Sequence, residues 1–325
     1  MKICHDILNT LNFTFDHKIT GCCLQLPDNT GRIPYWDYKI DDGVPTLDDI
    51  LERRESYINQ MQCELPRECI HCPYIIPDYS QVRKIARGLI KPSFTRLIFE
   101  WDTKCNANCG YCDIKNSDKT SNWDHMVPLF NEIIEFEEFD KHGDVLISGG
   151  EPSIINEFNY IIDTLELYSK YLWYHLFSTL ITRSERFTKL FEESRLDILV
   201  SLDATCPETY KVIKGVDRFN KVIENIQYYA QINPDLITVK MIISNDNHQE
   251  VEQFINLMIE LGITHVMWDF PRPDYPSDDI INAIRKFISL AHTNKLHYIG
   301  MYHGGIYNNV DDIIKTNLMV PFSCQ

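Results

Sequence analysis

Three cysteines stand close together in the segment CNANCGYC, residues 105–112. Their spacing, Cys105-x3-Cys109-x2-Cys112, is too rare to be attributed to chance, even in a chain with eleven cysteines. Three thiolates can hold a 4Fe-4S cluster and leave its fourth iron open to a small molecule. The alternative is a zinc ion bound by the same cysteines and by a histidine such as His125.

The triplet follows a predicted β-strand, because FTRLIFEWDTKC at residues 94–105 begins with apolar and β-branched residues. Asn, Gly and Asp residues then mark a loop. Downstream, the chain alternates between strand and helix periodicity. Strands are predicted at residues 144–150, 172–180, 196–204, 236–244, 264–270 and 296–303, and helices at 124–139, 155–171, 183–194, 217–232, 249–262 and 278–295.

This alternation predicts an α/β fold with a parallel sheet. Too few strands follow residue 94 for a complete barrel of eight units, so we expect a partial (β/α)6 TIM-like barrel. In parallel α/β folds the reactive site lies at the carboxyl ends of the strands. The segments GGEP, STL, SLDA and WDF lie at or near such ends, so they should share one cavity with the cysteine loop.

The motifs from residue 94 to about residue 270 resemble those of the radical S-adenosylmethionine (SAM) enzymes. The first is the cysteine triplet, in which the aromatic residue Tyr111 precedes Cys112. The second is SGGEP at residues 148–152, which closes the second predicted barrel strand. Glycines permit a close approach of the backbone, and a glutamate can pair with an ammonium group.

The resemblance implies which residues contact SAM. Gly149, Gly150 and Glu151 would meet its amino group. Ser178 and Thr179 occupy the polar positions of a third-strand motif whose usual glycine is replaced here by Leu180. Ser201 and Asp203 match a segment that contacts the ribose of SAM. Lys214 would contact the carboxylate of SAM. The alternative for Ser201 and Asp203 is a turn at a strand end, and the alternative for Lys214 is a solvated surface lysine.

The resemblance also implies the chemistry. SAM would chelate the open iron of the 4Fe-4S cluster, and an electron from a reductant such as flavodoxin or ferredoxin would cleave it to a 5′-deoxyadenosyl radical. That radical would abstract hydrogen from a peptide, a sugar or a small metabolite. Cys206, just beyond the fourth barrel strand, could return a hydrogen atom, or it could be an inert packed thiol. Alternatives are a glycyl-radical activating enzyme and a scaffold that never cleaves SAM.

The first ninety residues differ in composition from the predicted barrel, which we assign to residues 91–325 together with a C-terminal extension. Residues 1–90 resemble the SPASM or Twitch modules that hold an auxiliary 4Fe-4S cluster, although those modules ordinarily follow the barrel. The ligands implied for this second cluster are Cys22, Cys23, Cys69 and Cys72, with Cys4, Cys63 or Cys324 as possible replacements. A zinc ion bound by four cysteines is the alternative.

The charge balance restricts the binding partners. Lys and Arg number 31 against 47 Asp and Glu, which gives a net charge of −16 with neutral histidines. Such a field repels phosphate groups, so binding to nucleic acid or to an anionic membrane is not expected. The sequence contains no recognisable signal peptide and no apolar run of about 18 residues. We therefore expect a cytoplasmic protein, with its cysteines kept reduced.

Overall fold

The structure is a computed structural model that describes residues 9–14, 18–22, 34–37, 43–64, 93–112, 123–271 and 277–300. Ten strands are present in this part of the chain: β1 Thr10–Thr14, β2 Lys18–Thr20, β3 Pro34–Asp37, β4 Phe94–Glu100, β5 Phe139–Ile147, β6 Trp173–Ser178, β7 Leu196–Ser201, β8 Ile237–Ile242, β9 His265–Asp269 and β10 His297–Gly300. The same residues contain eight α-helices: α1 Leu47–Cys63, α2 Trp123–Glu135, α3 Glu157–Tyr168, α4 Glu185–Glu192, α5 Pro207–Lys214, α6 Phe219–Ile232, α7 Val251–Glu260 and α8 Asp278–Thr293.

The chain divides into two compact units, of which the first comprises residues 1–103, 117–150 and 156–173. In this unit β4 pairs in parallel with both β5 and β1, and β2 and β3 extend the sheet in antiparallel fashion. An aromatic cluster fills its core. The ring of Phe99 lies 5.3 Å from Phe13 and from Trp101, and 5.9 Å from Phe130 on α2.

The second unit comprises residues 104–116, 151–155 and 174–325. Its strands follow the order β6-β7-β8-β9-β10, and every neighbouring pair among them is parallel. Helices α4 to α8 connect these strands and bury apolar faces. In α7, for example, Val251, Phe254, Ile255 and Met258 are buried at helical spacing.

The predicted α/β class with largely parallel strands is confirmed, and this fold is consistent with a partial barrel. Most predicted elements are also confirmed in type. One boundary is wrong, because α2 ends at Glu135 and β5 begins at Phe139, within the segment predicted as helix. Residues 140–143 read DKHG, which carries no strand pattern, yet the pairing of Phe94 with Phe139 extends the strand.

Several further elements had no counterpart in the predictions, among them helix α5 and strand β1. Helix α5 begins at Pro207 and ends before Gly215, whose φ of +67° is the left-handed conformation that glycine adopts readily. These end signals are visible in the sequence. Strand β1, by contrast, pairs with β4 across more than eighty residues, from Thr10 opposite Arg96 to Thr14 opposite Glu100. The predicted division of the chain into a cysteine-rich region, residues 1–90, and a barrel region, residues 91–325, stays a prediction.

None of the helices in the described residues is both long and apolar enough to cross a membrane.

Candidate active site

The cysteine loop rests on the last turn of α5. The backbone N–H of Asn108 donates to the carbonyl of Lys214 at 2.8 Å, and that of Gly110 donates to the carbonyl of Ile213 at 3.2 Å. The N–H of Cys112 donates to the carbonyl of Cys109 at 3.3 Å, which closes a tight turn between these two cysteines. The loop is therefore held by hydrogen bonds from its own backbone, independently of any metal.

The three thiols form an electrostatically connected group, and none of them is in a disulfide. Although Cys105 is exposed as a residue, the protein around its sulfur removes enough water to raise the pKa of its thiol to about 11. A hydrogen bond from Ala107 N–H opposes this rise, and the charges of Glu151, Cys109 and Cys112 add to it. Burial also raises the pKa of Cys109, against the opposing effect of Lys214.

This donor set fits a 4Fe-4S cluster. Crowded thiols with raised pKa values give up their protons when they bind a metal, which then compensates their negative charge. Within the described ranges, no three His, Cys, Asp or Glu side chains are arranged to hold a metal ion. A cluster distributes its thiolates over separate iron atoms and so needs no such convergence on one point. The zinc alternative would need a fourth ligand such as His125, which is exposed on α2.

Glu151 is a buried carboxylate surrounded by hydrogen-bond donors, and 0% of its surface is exposed. Its Oε1 accepts from the hydroxyl of Ser178 at 2.8 Å, and from the N–H and hydroxyl of Ser153 at 3.1 and 2.6 Å. Its Oε2 accepts from the N–H and hydroxyl of Thr179, both at 2.6 Å. No Lys, Arg or His among the described residues forms an ion pair with it. A buried negative charge with oriented donors but no cation is suited to an incoming ammonium group.

The glycines before Glu151 belong to the first unit and lie against the end of β4. Gly149 has a φ of +103°, and a Cβ atom there would lie 2.8 Å from the carbonyl oxygen of Asp102. The N–H of Gly150 donates to that same oxygen at 2.8 Å. Both the backbone conformation and the close approach therefore require glycine at position 149.

The segment after β6 keeps a glycine-like conformation without a glycine. Leu180 is buried with a φ of +56°, which costs about 1 kcal/mol for a residue with a Cβ atom. The side chain of Asn225 compensates, since its Nδ2 donates to the carbonyls of Leu180 at 2.7 Å and Ile181 at 3.3 Å. The N–H of Leu180 donates to Ser178 Oγ at 2.9 Å, so this conformation also orients a donor to Glu151.

We expect Asn225→Ala to lower the free energy of unfolding by about 1–3 kcal/mol, because two buried carbonyls lose their donor. Urea unfolding of the metal-free protein measures the change. Asn220→Ala on the exposed face of the same helix is the matched control and should stay within about 0.5 kcal/mol of the original protein. Equal effects of the two substitutions would contradict this role of Asn225.

Asp203 and Lys214 form a buried ion pair, with 0% and 1% of their side chains exposed. Lys214 Nζ lies 2.5 Å from Asp203 Oδ2 and 2.8 Å from the hydroxyl of Tyr111, which itself donates to Asp203 Oδ2. Asp203 Oδ1 accepts from the N–H of Ile242 at 2.7 Å. Lys214 is thus not a solvated surface lysine, and both Asp203 oxygens already have protein partners. Ser201 is partly buried at the end of β7.

Tyr210 is a site residue that the sequence analysis missed. It is fully buried on α5, one turn before Lys214, and its hydroxyl has no hydrogen-bond partner among the described residues. Burial raises its pKa, and the negative charges of Cys109, Asp203, Glu151 and Cys105 raise it further, which places the ring near the cysteine loop. The i, i+4 spacing of Tyr210 and Lys214 is the sequence signal that could have identified it.

Three further cysteines that were predicted as site residues lie in the described part of the chain. Cys206 precedes α5, and its thiol lies 3.4 Å from Thr209 Oγ1. Cys22 is buried, and its carbonyl accepts from Thr20 Oγ1 at 2.8 Å, while Cys63 is exposed at the end of α1. The other cysteines proposed for an auxiliary cluster lie outside the described residues, namely Cys4, Cys23, Cys69, Cys72 and Cys324.

Known proteins resemble this chain in its central part. Residues 102–258 match the Radical SAM superfamily. A probable GTP 3′,8-cyclase of Saccharolobus islandicus is 30% identical over 171 residues, which cover 50% of this chain and 52% of that protein. The chain thus spans about half the length of the curated relatives that it matches.

Two solved structures share the fold. SuiB of Streptococcus suis has a TM-score of 0.53 and 13% sequence identity, and the match covers 82% of this chain and 64% of SuiB. The complex of anSMEcpe with AdoMet and the Cp18Cys peptide has a TM-score of 0.51 and 15% identity, with 62% of each chain covered. The matched residues 102–258 include all three cysteines, Glu151 and the Asp203–Lys214 pair, so the part of the chain that holds the candidate site is similar to the Radical SAM superfamily.

Proposed function

We propose that this chain uses Cys105, Cys109 and Cys112 to hold a 4Fe-4S cluster and that it cleaves bound SAM reductively. The observation that carries the proposal is Glu151, a buried carboxylate with five donor contacts and no cationic partner among the described residues. It belongs to the same compact unit as the three cysteines. An anion so placed is stabilised by a cationic ligand, and the amino group of SAM supplies that charge.

The residues of this chain would bind and orient SAM. Glu151 would pair with the SAM ammonium, and Gly149 and Gly150 would allow the backbone to approach it. Ser178 and Thr179 hold the Glu151 carboxylate in place, and Ser201 would contact the ribose. When bound, the reduced cluster supplies the electron that cleaves SAM and so produces a species able to abstract hydrogen from a substrate.

We propose a peptide as the first substrate class to test, with sugars and small metabolites next. Two structural neighbours are complexes with peptides, the Cp18Cys peptide in anSMEcpe and the precursor peptide SuiA in SuiB. The sequence relatives favour a second candidate, since they are probable GTP 3′,8-cyclases. The net charge of −16 disfavours a triphosphate unless basic residues gather at the site.

An auxiliary 4Fe-4S cluster bound by Cys22, Cys23, Cys69 and Cys72 remains part of the proposal, and it rests on the sequence resemblance alone.

Cys206 remains the candidate hydrogen-atom donor, because it lies near the end of β7, at the same edge of the sheet as Asp203. The reductant, such as flavodoxin or ferredoxin, and the cytoplasmic location also stay predictions.

Anaerobic reconstitution with iron and sulfide, followed by reduction in the presence of SAM, tests the proposal. We expect about eight irons per chain if both clusters form and about four if only the site cluster forms. We expect 5′-deoxyadenosine and methionine as products of SAM. Iron incorporation without SAM cleavage, alone or with peptide or GTP added, would contradict the enzymatic proposal and support a scaffold.

A further inference from the structure

The unit formed by Tyr111, Asp203 and Lys214 joins three separate elements: the cysteine loop, the end of β7 and the last turn of α5. Lys214 Nζ also lies 5.4 Å from the centroid of the Tyr111 ring, so it contacts this residue through both the hydroxyl and the π face. Each polar atom of the unit has a partner within the protein.

The same turn of α5 also holds the backbone of the cysteine loop. The carbonyls of Ile213 and Lys214, which a helix end leaves without helical partners, accept from Gly110 and Asn108. Gly215 adds a close contact, since a Cβ atom there would lie 2.7 Å from the carbonyl oxygen of Asn108. Side-chain and backbone contacts thus fix residues 108–111, between the first and third cysteines.

The burial of the ion pair makes its two charges depend on each other. Because both side chains are almost fully buried, removal of the lysine alone would leave the Asp203 charge without compensation. The hydroxyl of Tyr111 would lose its donor in the same variant.

We propose that Lys214, acting with Asp203 and Tyr111, is a positioning residue that pre-forms the cysteine loop for its cluster. This inference rests on the proposed function and differs from it, because the resemblance assigns Lys214 to the SAM carboxylate. In our assignment the lysine acts through the loop, and its contribution is present before SAM binds. Tyr111 transmits the restraint, since it lies between Cys109 and Cys112.

The test compares Lys214→Met, Lys214→Arg, Tyr111→Phe and the double variant Asp203→Asn/Lys214→Met. Lys211→Met is the matched control, because Lys211 lies on the same helix and is exposed. The rate at which the reconstituted proteins lose iron to a chelator is measured without SAM. We expect faster loss in Lys214→Met, a smaller increase in the double variant, which carries no unpaired charge, and no change in Lys211→Met. Lys214→Arg should restore most of the original retention of iron.

A second measurement does not depend on iron. Urea unfolding of the metal-free protein for Tyr111→Phe, Lys214→Met and their combination gives a double-mutant cycle. Non-additive effects are expected, because each residue contacts the other. Additive effects would contradict the positioning role of Lys214 even if the wild-type protein never binds iron, whereas a wild-type protein without iron would contradict only the proposed function. Weakened SAM binding by Lys214→Met at an unchanged rate of iron loss would overturn the inference in favour of a direct SAM contact.

Discussion

Replacement of any one of Cys105, Cys109 or Cys112 by alanine should abolish SAM cleavage. Each cysteine supplies one of only three thiolates to the proposed cluster, and a cluster with two protein ligands is not retained through purification. We expect the rate of 5′-deoxyadenosine formation to fall by at least about 100-fold, since even the residues that support metal ligands contribute 10- to 100-fold. Iron analysis and chromatography of the reaction products measure both effects.

The control for this series is Cys206→Ala, which removes a thiol outside the cysteine loop. It should retain its full iron content and still cleave SAM, whereas a role in hydrogen return would appear only as a loss of finished product. If both clusters form in the original protein, each loop variant should lose about four irons and keep about four. Unchanged SAM cleavage in any loop variant would refute the assignment of that cysteine.

Glu151→Gln should weaken the binding of SAM by roughly tenfold to 150-fold. A hydrogen bond to a charged group contributes about 1.5–3 kcal/mol, and the amide cannot provide the negative charge that pairs with an ammonium. The amide also places an N–H₂ group against either the Ser178 or the Thr179 donors, so part of the donor shell is left unsatisfied. Equilibrium dialysis with labelled SAM against the reconstituted protein measures the dissociation constant.

Two further substitutions separate the charge from the shape of this position. Ser178→Ala removes one donor and keeps the carboxylate, so its effect on SAM binding should be several-fold smaller than that of Glu151→Gln. Glu185→Gln removes an exposed carboxylate on α4 and should change nothing. The iron content should stay the same in all three proteins. SAM binding by Glu151→Gln that equals that of Glu185→Gln would show that Glu151 has only a structural role.

The candidate cysteine ligands and the strand–helix alternation could be read from the sequence because both are local patterns. The spacing of Cys105, Cys109 and Cys112 lies within eight residues, and strand and helix periodicities are complete within each element. The start of β5 could not be predicted in this way. Its residues 140–142 are polar and at least partly exposed, and they are strand only because the Phe94–Phe139 pair extends the ladder.

Leu180 shows how a local substitution can mislead. Leu180 stands where the third-strand motif usually has a glycine, so the sequence alone suggests that the contact with SAM at this position has changed. In the structure the backbone remains left-handed, because Asn225, on a helix more than forty residues later, supplies two hydrogen bonds to it. The energy that compensates for the strain comes from a residue with no detectable link to the motif in the sequence.

By itself, the sequence determined the candidate metal ligands and the alternation of strands and helices after residue 94, since these depend on residue type and on neighbours within a few positions. Only the tertiary structure decided the environment of the ionisable groups. Lys214 has the sequence features of a surface or ligand-binding lysine, yet it is paired with Asp203 and with Tyr111, 103 residues away. The charge, donor capacity and burial of such a group depend on groups that are distant in the chain and meet only when the strand ends and the cysteine loop come together.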